Sequence, residues 1–215
     1  MNFDSERLLL YAITDGDREA KRSVYERTED ALRGGVTMVQ LREKDLQDDL
    51  LVEEATRMCS LCHEYGVPLI INDRLDVALR SGADGVHVGA GDMDVAEIRK
   101  KVPENFIIGA TAKTVEQARR AEDAGADYLG VGAVFPSPTK ANAVCITPDQ
   151  LKDIEGAVSI PCVAIGGITL DNADVLRGSD IAGIAVVSAV YGAENITEAC
   201  IKLKEKARSV RGGRL

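Results

Sequence analysis

The chain has 215 residues, 45% of them apolar. That is enough for one core burying about 70% of the unfolded surface, so a single domain is expected. Its formal charge is −9, with two His, and no basic stripe interleaved with aromatics occurs, which excludes nucleic acid and anionic membrane surfaces as natural partners. An anionic small substrate would need locally concentrated cations, helped by a divalent metal. No apolar run is long enough to span a bilayer, and residues 1–6 lack the charged-then-apolar pattern of a secretion signal. A cytoplasmic, soluble protein follows, and its odd number of cysteines, five, reads as reduced thiols. A homo-oligomer is allowed for, its order left open.

The first strand is expected over residues 8–13. A second opens after Gly34 and Gly35 and runs through Val36, Thr37, Met38, Val39, Gln40 and Leu41. Strand side chains alternate sides, so Met38, Gln40, Arg42 and Lys44 share one face and Val39, Leu41 and Glu43 the other. One face thus turns from apolar to cationic along its length, which reads as an anion site. A strand end meeting solvent would explain a lone Arg or Lys equally well.

An amphipathic helical run over residues 50–65 ends at Gly66. Within it Cys59, Cys62 and His63 match the C-x-x-C-H pattern of haem attachment, but their place in a helix and the absence of an export pattern speak against haem. Strand 3, opening near Pro68, ends in Asn72 and Asp73. Strand 4, near residue 84, carries His87 and Gly89 and leads to Asp92. Two carboxylates leaving adjacent strand ends beside a cationic cluster suit Mg²⁺, which commonly takes one or two carboxylates and fills its shell with water and phosphate oxygens. Either aspartate alone would serve as a helix cap. His87, mid-strand in an apolar run, reads as a hydrogen-bonded core residue and is left out of the site.

Strand 5, near residue 106, ends at Thr111, and Thr114 can cap the next helix with Gln117 three residues on. Strand 6, near 127, is followed by Ser137, Thr139 and Lys140 in a loop stiffened by Pro136 and Pro138. Strand 7, near 161, ends in Gly166 and Gly167, and strand 8, near 182, in Val187 and Ser188. The pair Gly34 and Gly35, and Gly82, Gly125 and Gly178, fit the position after a helix where a left-handed backbone is wanted. The basic tail, residues 208–215, reads as frayed.

Eight short strands alternating with helices in a chain of this length indicate an α/β fold, a (βα)8 TIM barrel; an open doubly wound sheet would leave two or three strands unused. In such barrels the working residues lie at the C-terminal strand ends, and the loops after strands 7 and 8 customarily bind phosphate. The reading therefore has two anion sites, one metal-assisted near strands 2 to 4, the other glycine- and hydroxyl-built near strands 6 to 8. No Ser-His or Cys-His pair and no dedicated general base stands out, so the chemistry should be one that anion binding and positioning can carry.

Gln40 to Lys44, Asn72 with Asp73, His87 with Gly89 and Asp92, Pro136 to Lys140, Ala164 to Ile168, and Val187 with Ser188 together resemble the thiamine phosphate synthase (thiamine-phosphate pyrophosphorylase) family over nearly the whole chain. The resemblance implies a transferase that joins 4-amino-2-methyl-5-hydroxymethylpyrimidine diphosphate to a thiazole phosphate and releases diphosphate. It implies that Gln40 contacts the pyrimidine and that Arg42, Lys44, Asn72, Thr111 and Lys140 surround the diphosphate; Arg42, Lys44, Thr111 and Lys140 would be catalytic. Asp73 and Asp92 would hold Mg²⁺, and Ser137, Thr139, Gly167, Val187 and Ser188 the thiazole phosphate. Ala90 departs from the family's usual Gln, while Thr111 and Ser137 exchange one hydroxyl for another. A thiazole tautomerase, which relies on a histidine where this chain has Lys113, a phosphosugar epimerase, and a non-catalytic precursor sensor are the competing readings.

Overall fold

Eight strands, all parallel, pair in sequence order and close on themselves: β1 (Leu10–Ile13), β2 (Met38–Leu41), β3 (Leu69–Asn72), β4 (Gly85–Val88), β5 (Ile107–Ala112), β6 (Tyr128–Gly132), β7 (Cys162–Ile165) and β8 (Gly183–Val186). The computed structural model describes residues 3–17, 19–136 and 145–212. Parallel neighbours need a crossover between strands, and helices supply most of them. These are α1 (Val24–Arg33), α2 (Asp48–Glu64), α3 (Leu75–Ser81), α4 (Val95–Arg99), α5 (Val115–Asp123) and α6 (Pro148–Gly156), with α7 (Ser188–Tyr191) and α8 (Ile196–Val210) after the last strand. Between β7 and β8 the crossover is a 3-10 turn, Ala173–Leu176.

Local chemistry starts the helices where the sequence suggests. Ser23 and Glu26 form a reciprocal capping box at α1, as do Thr147 and Gln150 at α6, while Thr114 accepts from the Gln117 amide at α5. Each arrangement satisfies amide donors that the first helical turn leaves unpaired.

The alternation expected of β2 is present. Met38 lies in the barrel interior with Tyr11, Ile13, Ile70, Tyr128 and Val163, while Val39 and Leu41 face outward into the layer between strands and helices. That outer layer, with Leu51, Met58, Ile98 and Leu203, is the larger core. The interior is packed only at its lower levels, and near the C-terminal strand ends it opens into a cavity.

Two expectations are corrected and one is made specific. The first strand begins at Leu10, because residues 5–8 form a 3-10 turn whose start is capped by Asp4. After α1 the left-handed residue is Gly35, with φ +87°, while Gly34 keeps right-handed geometry and packs against Thr197 and Cys200 of α8. The tail does not fray from residue 208: α8 continues to a buried Val210, Arg211 pairs with Glu6, and the Gly212 amide donates to the Ile181 carbonyl.

Candidate active site

At the C-terminal mouth of the barrel lies a cavity of about 170 Å³. Gln40, Arg42, Asn72 and Thr111 line it, as do Gly167, Val187 and Ser188. These seven expected residues come from five different strand ends, those of β2, β3, β5, β7 and β8, which the closure of the barrel brings to one place. Residues that the sequence assigned to two separate anion sites therefore line a single cavity. Lys44 stands beside it, close enough to act on the Asp73 carboxylate. Ser137, Thr139 and Lys140 lie outside the described residues.

Asp73 is the one non-glycine residue with positive φ among those described, at +63°, a conformation that Asp tolerates better than most residues. Its backbone amide donates to the His87 carbonyl, which fixes the turn that ends β3. The Asp73 carboxyl is pushed above its ordinary range, first by burial and then by hydrogen bonding and charge repulsion from Asp92; Asn72 and Lys44 oppose the shift. Asp92 is anchored in turn by the Gly89 amide at 2.7 Å. Two carboxylates held in contact, Asp73 half-withdrawn from water and Asp92 exposed, repel one another, and a hard divalent cation is the natural remedy. The donor set fits Mg²⁺.

The glycine pair after β7 has a geometric reason. Gly166 and Gly167 have φ of +103° and +63°. A Cβ on Gly166 would strike Ala133, and one on Gly167 would strike the carbonyl oxygens of Phe135 and Pro136. The β7 loop thus lies against the start of the β6 loop, which carries the Ser137 to Lys140 segment.

Sequence reasoning missed two polar side chains of the cavity. Lys113, just past β5, lines the cavity and adds a cation that pattern alone did not mark. His87 is the hydrogen-bonded core residue expected of it, yet it also reaches the cavity floor. Its Nδ1 lies 3.1 Å from the Tyr128 hydroxyl and its Nε2 3.0 Å from Thr111 Oγ1. Burial lowers its pKa to about 4, against an opposing pull from Asp92, so the ring is neutral at physiological pH.

The C-x-x-C-H segment is elsewhere. Cys59, His63 and Asp84 cluster at the opposite end of the barrel, where Asp84 Oδ2 accepts from the Leu69 amide and from His63, and Cys59 donates to the Gly82 carbonyl. Each group there already has a structural partner.

Fold and cavity together define a (βα)8 enzyme that handles phosphorylated small molecules at its strand C-termini. The family model described as "Thiamine monophosphate synthase" matches residues 10–190. The thiamine-phosphate synthase of Clostridium tetani is 43% identical over 194 residues, 90% of this chain and 93% of that protein. Thiamine-phosphate synthase 2 of Streptococcus pneumoniae is 46% identical over 200 residues, 92% of this chain and 95% of that one. The solved thiamine phosphate pyrophosphorylase from Pyrococcus furiosus superposes with a TM-score of 0.88 at 40% identity, covering 97% of this chain and 99% of its own. The chain belongs to the thiamine monophosphate synthase family, and is a transferase of thiamine biosynthesis. Among the described residues no helix is long and apolar enough to cross a membrane.

Proposed function

We propose that this chain joins 4-amino-2-methyl-5-hydroxymethylpyrimidine diphosphate to 4-methyl-5-(2-phosphooxyethyl)thiazole, or its carboxylated form, giving thiamine phosphate and diphosphate in the cytoplasm. The observation that carries this reading is the single cavity that unites Gln40, Arg42, Asn72 and Thr111 with Gly167, Val187 and Ser188. Substrates joined at one bond must lie side by side, and the residues assigned to the diphosphate and those assigned to the phosphate line one cavity.

The pyrimidine sits against Gln40, with Arg42, Lys44, Asn72, Thr111 and Lys140 around its diphosphate. Gly167, Val187 and Ser188, with Ser137 and Thr139 from the β6 loop, hold the thiazole phosphate. Asp73 and Asp92 hold Mg²⁺, which when bound neutralises charge on the departing diphosphate. Arg42, Lys44 and Lys140 stabilise that same charge. The aminopyrimidine donates electrons to the methylene carbon as the carbon–oxygen bond lengthens, and the thiazole nitrogen attacks from the other side of the cavity. That nitrogen has no proton to lose, so no general base is needed, and alignment of the two partners supplies much of the acceleration.

The test is mass-spectrometric assay of the purified protein with both substrates and Mg²⁺, alongside an EDTA control. Metal-dependent appearance of thiamine phosphate and diphosphate is expected. Binding of the thiazole phosphate without turnover would leave only the β6 to β8 side of the assignment standing.

A further inference from the structure

Across the floor of the cavity runs an unbroken line of hydrogen bonds. Gln40 Nε2 donates to the Tyr11 hydroxyl at 2.6 Å, and the Tyr11 and Tyr128 hydroxyls are 2.9 Å apart. The line continues from Tyr128 to His87 and from His87 to Thr111. Gln40, Tyr11, Tyr128 and His87 are all buried, so bulk water does not complete or interrupt the line. The chain keeps room for it: a Cβ on Gly109 would strike the Tyr128 hydroxyl and His87 Nδ1.

Each hydroxyl in such a line has one proton to give, and a neutral imidazole has one N–H and one acceptor nitrogen, so the whole line must point one way. Gln40 donates to Tyr11, so the Tyr11 proton goes to Tyr128 and the Tyr128 proton to His87 Nδ1. The ring proton then sits on Nε2 and is donated to Thr111 Oγ1. That leaves the Thr111 proton free to point into the cavity, and the Gln40 carbonyl oxygen without a role in the line. The reverse direction would take the Thr111 proton for His87 and offer lone pairs to the cavity instead. An anion beside Thr111 requires a donor there and therefore selects the first direction.

We propose that Tyr11, Tyr128 and His87 are positioning residues that tie the two ends of the pyrimidine diphosphate together, setting Thr111 as a donor to the diphosphate and Gln40 as an acceptor for the ring amino group. This rests on the placement of that substrate in the preceding section. Its consequence is coupling: occupation at Thr111 orders the amide that recognises the ring, and hydrogen bonds in series polarise one another.

The experiment is a double-mutant cycle on Tyr128→Phe and Thr111→Val, reading kcat/KM for the pyrimidine diphosphate and KM for the thiazole phosphate, with thermal midpoints measured in parallel. Each single variant should lower kcat/KM about 10-fold, the scale of one hydrogen bond to a charged or ordering partner, with the thiazole phosphate KM changed less than about twofold. The double variant should fall no more than about twofold below the worse single one. If the losses multiply fully, or if Tyr128→Phe leaves the rate unchanged, the relay is overturned. If Thr111→Val alone has no effect, the placement of the diphosphate falls and the relay falls with it.

A second pair keeps the test sharp should Tyr128→Phe fold poorly. In His87→Gln the amide oxygen can accept from Tyr128 while its NH₂ donates to Thr111, which preserves the direction of the line; His87→Leu does neither. Recovery of most of the activity by His87→Gln relative to His87→Leu supports the relay, and equal loss in both overturns it.

Discussion

Arg74 donates from Nη2 to the Lys44 carbonyl at 2.7 Å, so the residue after the Asn72 and Asp73 pair holds the cationic loop that leaves β2. Its Nη1 reaches the Leu46 carbonyl at 2.6 Å and Asp48 at 3.0 Å. This guanidinium fork clamps the segment from Lys44 to Asp48. Arg74→Ala should raise KM for the pyrimidine diphosphate several-fold and speed amide exchange over residues 44–48, while leaving the thiazole phosphate KM unchanged. Arg74→Lys should not rescue it, since an ammonium lacks the fork. Unaltered exchange in Arg74→Ala would show that the loop is held by other contacts.

If the paired aspartates hold Mg²⁺ as proposed, stability should depend on metal. Because the Asp73 pKa is raised in the folded state, the stabilisation belongs to its protonated form and is lost as pH rises through that raised value. Metal-free protein should therefore be less stable above that value than below it, and Mg²⁺ should raise the thermal midpoint more at pH 7.5 than in mildly acidic buffer. Asp73→Asn should leave metal-free protein as stable or more so, abolish the Mg²⁺ response and remove most activity. A Mg²⁺ response that survives in this variant would move the metal elsewhere.

Lys140→Ala should lose on the order of 10- to 100-fold in rate, the worth of one charge-assisted contact to the departing diphosphate. Single-turnover rates would isolate this step from product release. An unchanged rate constant removes Lys140 from the reaction.

Gly167→Ala places a Cβ where the carbonyls of Phe135 and Pro136 now lie, on a backbone with φ +63°. The two loops must separate, so KM for the thiazole phosphate should rise at least about 10-fold and the thermal midpoint should fall. An alanine variant with wild-type KM would show that the contact between these loops does not shape the phosphate side.

The thiols should divide one against four. Cys145 is exposed, whereas Cys59, Cys62, Cys162 and Cys200 are buried. Burial pushes Cys59 up to about 11 and Cys200 up to about 12, so both remain thiols at pH 8. A chromogenic thiol reagent should find one fast-reacting group in native protein and five after denaturation; a second fast phase would show that one of the four is exposed by local opening.

Strand order and strand ends were legible in the sequence because their signals are local. Proline or glycine followed by a short apolar run marks a strand start, and the observed strands begin within about two residues of the expected positions. The same locality placed Gln40, Arg42, Asn72, Thr111, Gly167, Val187 and Ser188 at C-terminal strand ends, and barrel closure then gathers them without further instruction. His87 shows where this stops. Mid-strand in an apolar run, it gave no local sign that it would reach the cavity as well as the core.

By itself, then, the sequence determined the barrel, the direction in which its strands present chemistry, and the residue types waiting at their ends, since strand alternation and turn residues act over a few positions. Only the tertiary structure decided that Tyr11 would meet Tyr128, 117 residues away, and Tyr128 meet His87 across another 41. It likewise decided that Arg74 would hold the Lys44 loop and that Asp73 would touch Asp92. Those contacts follow from the stagger and radius of a closed sheet, a property of all eight strands together that no single stretch of sequence carries.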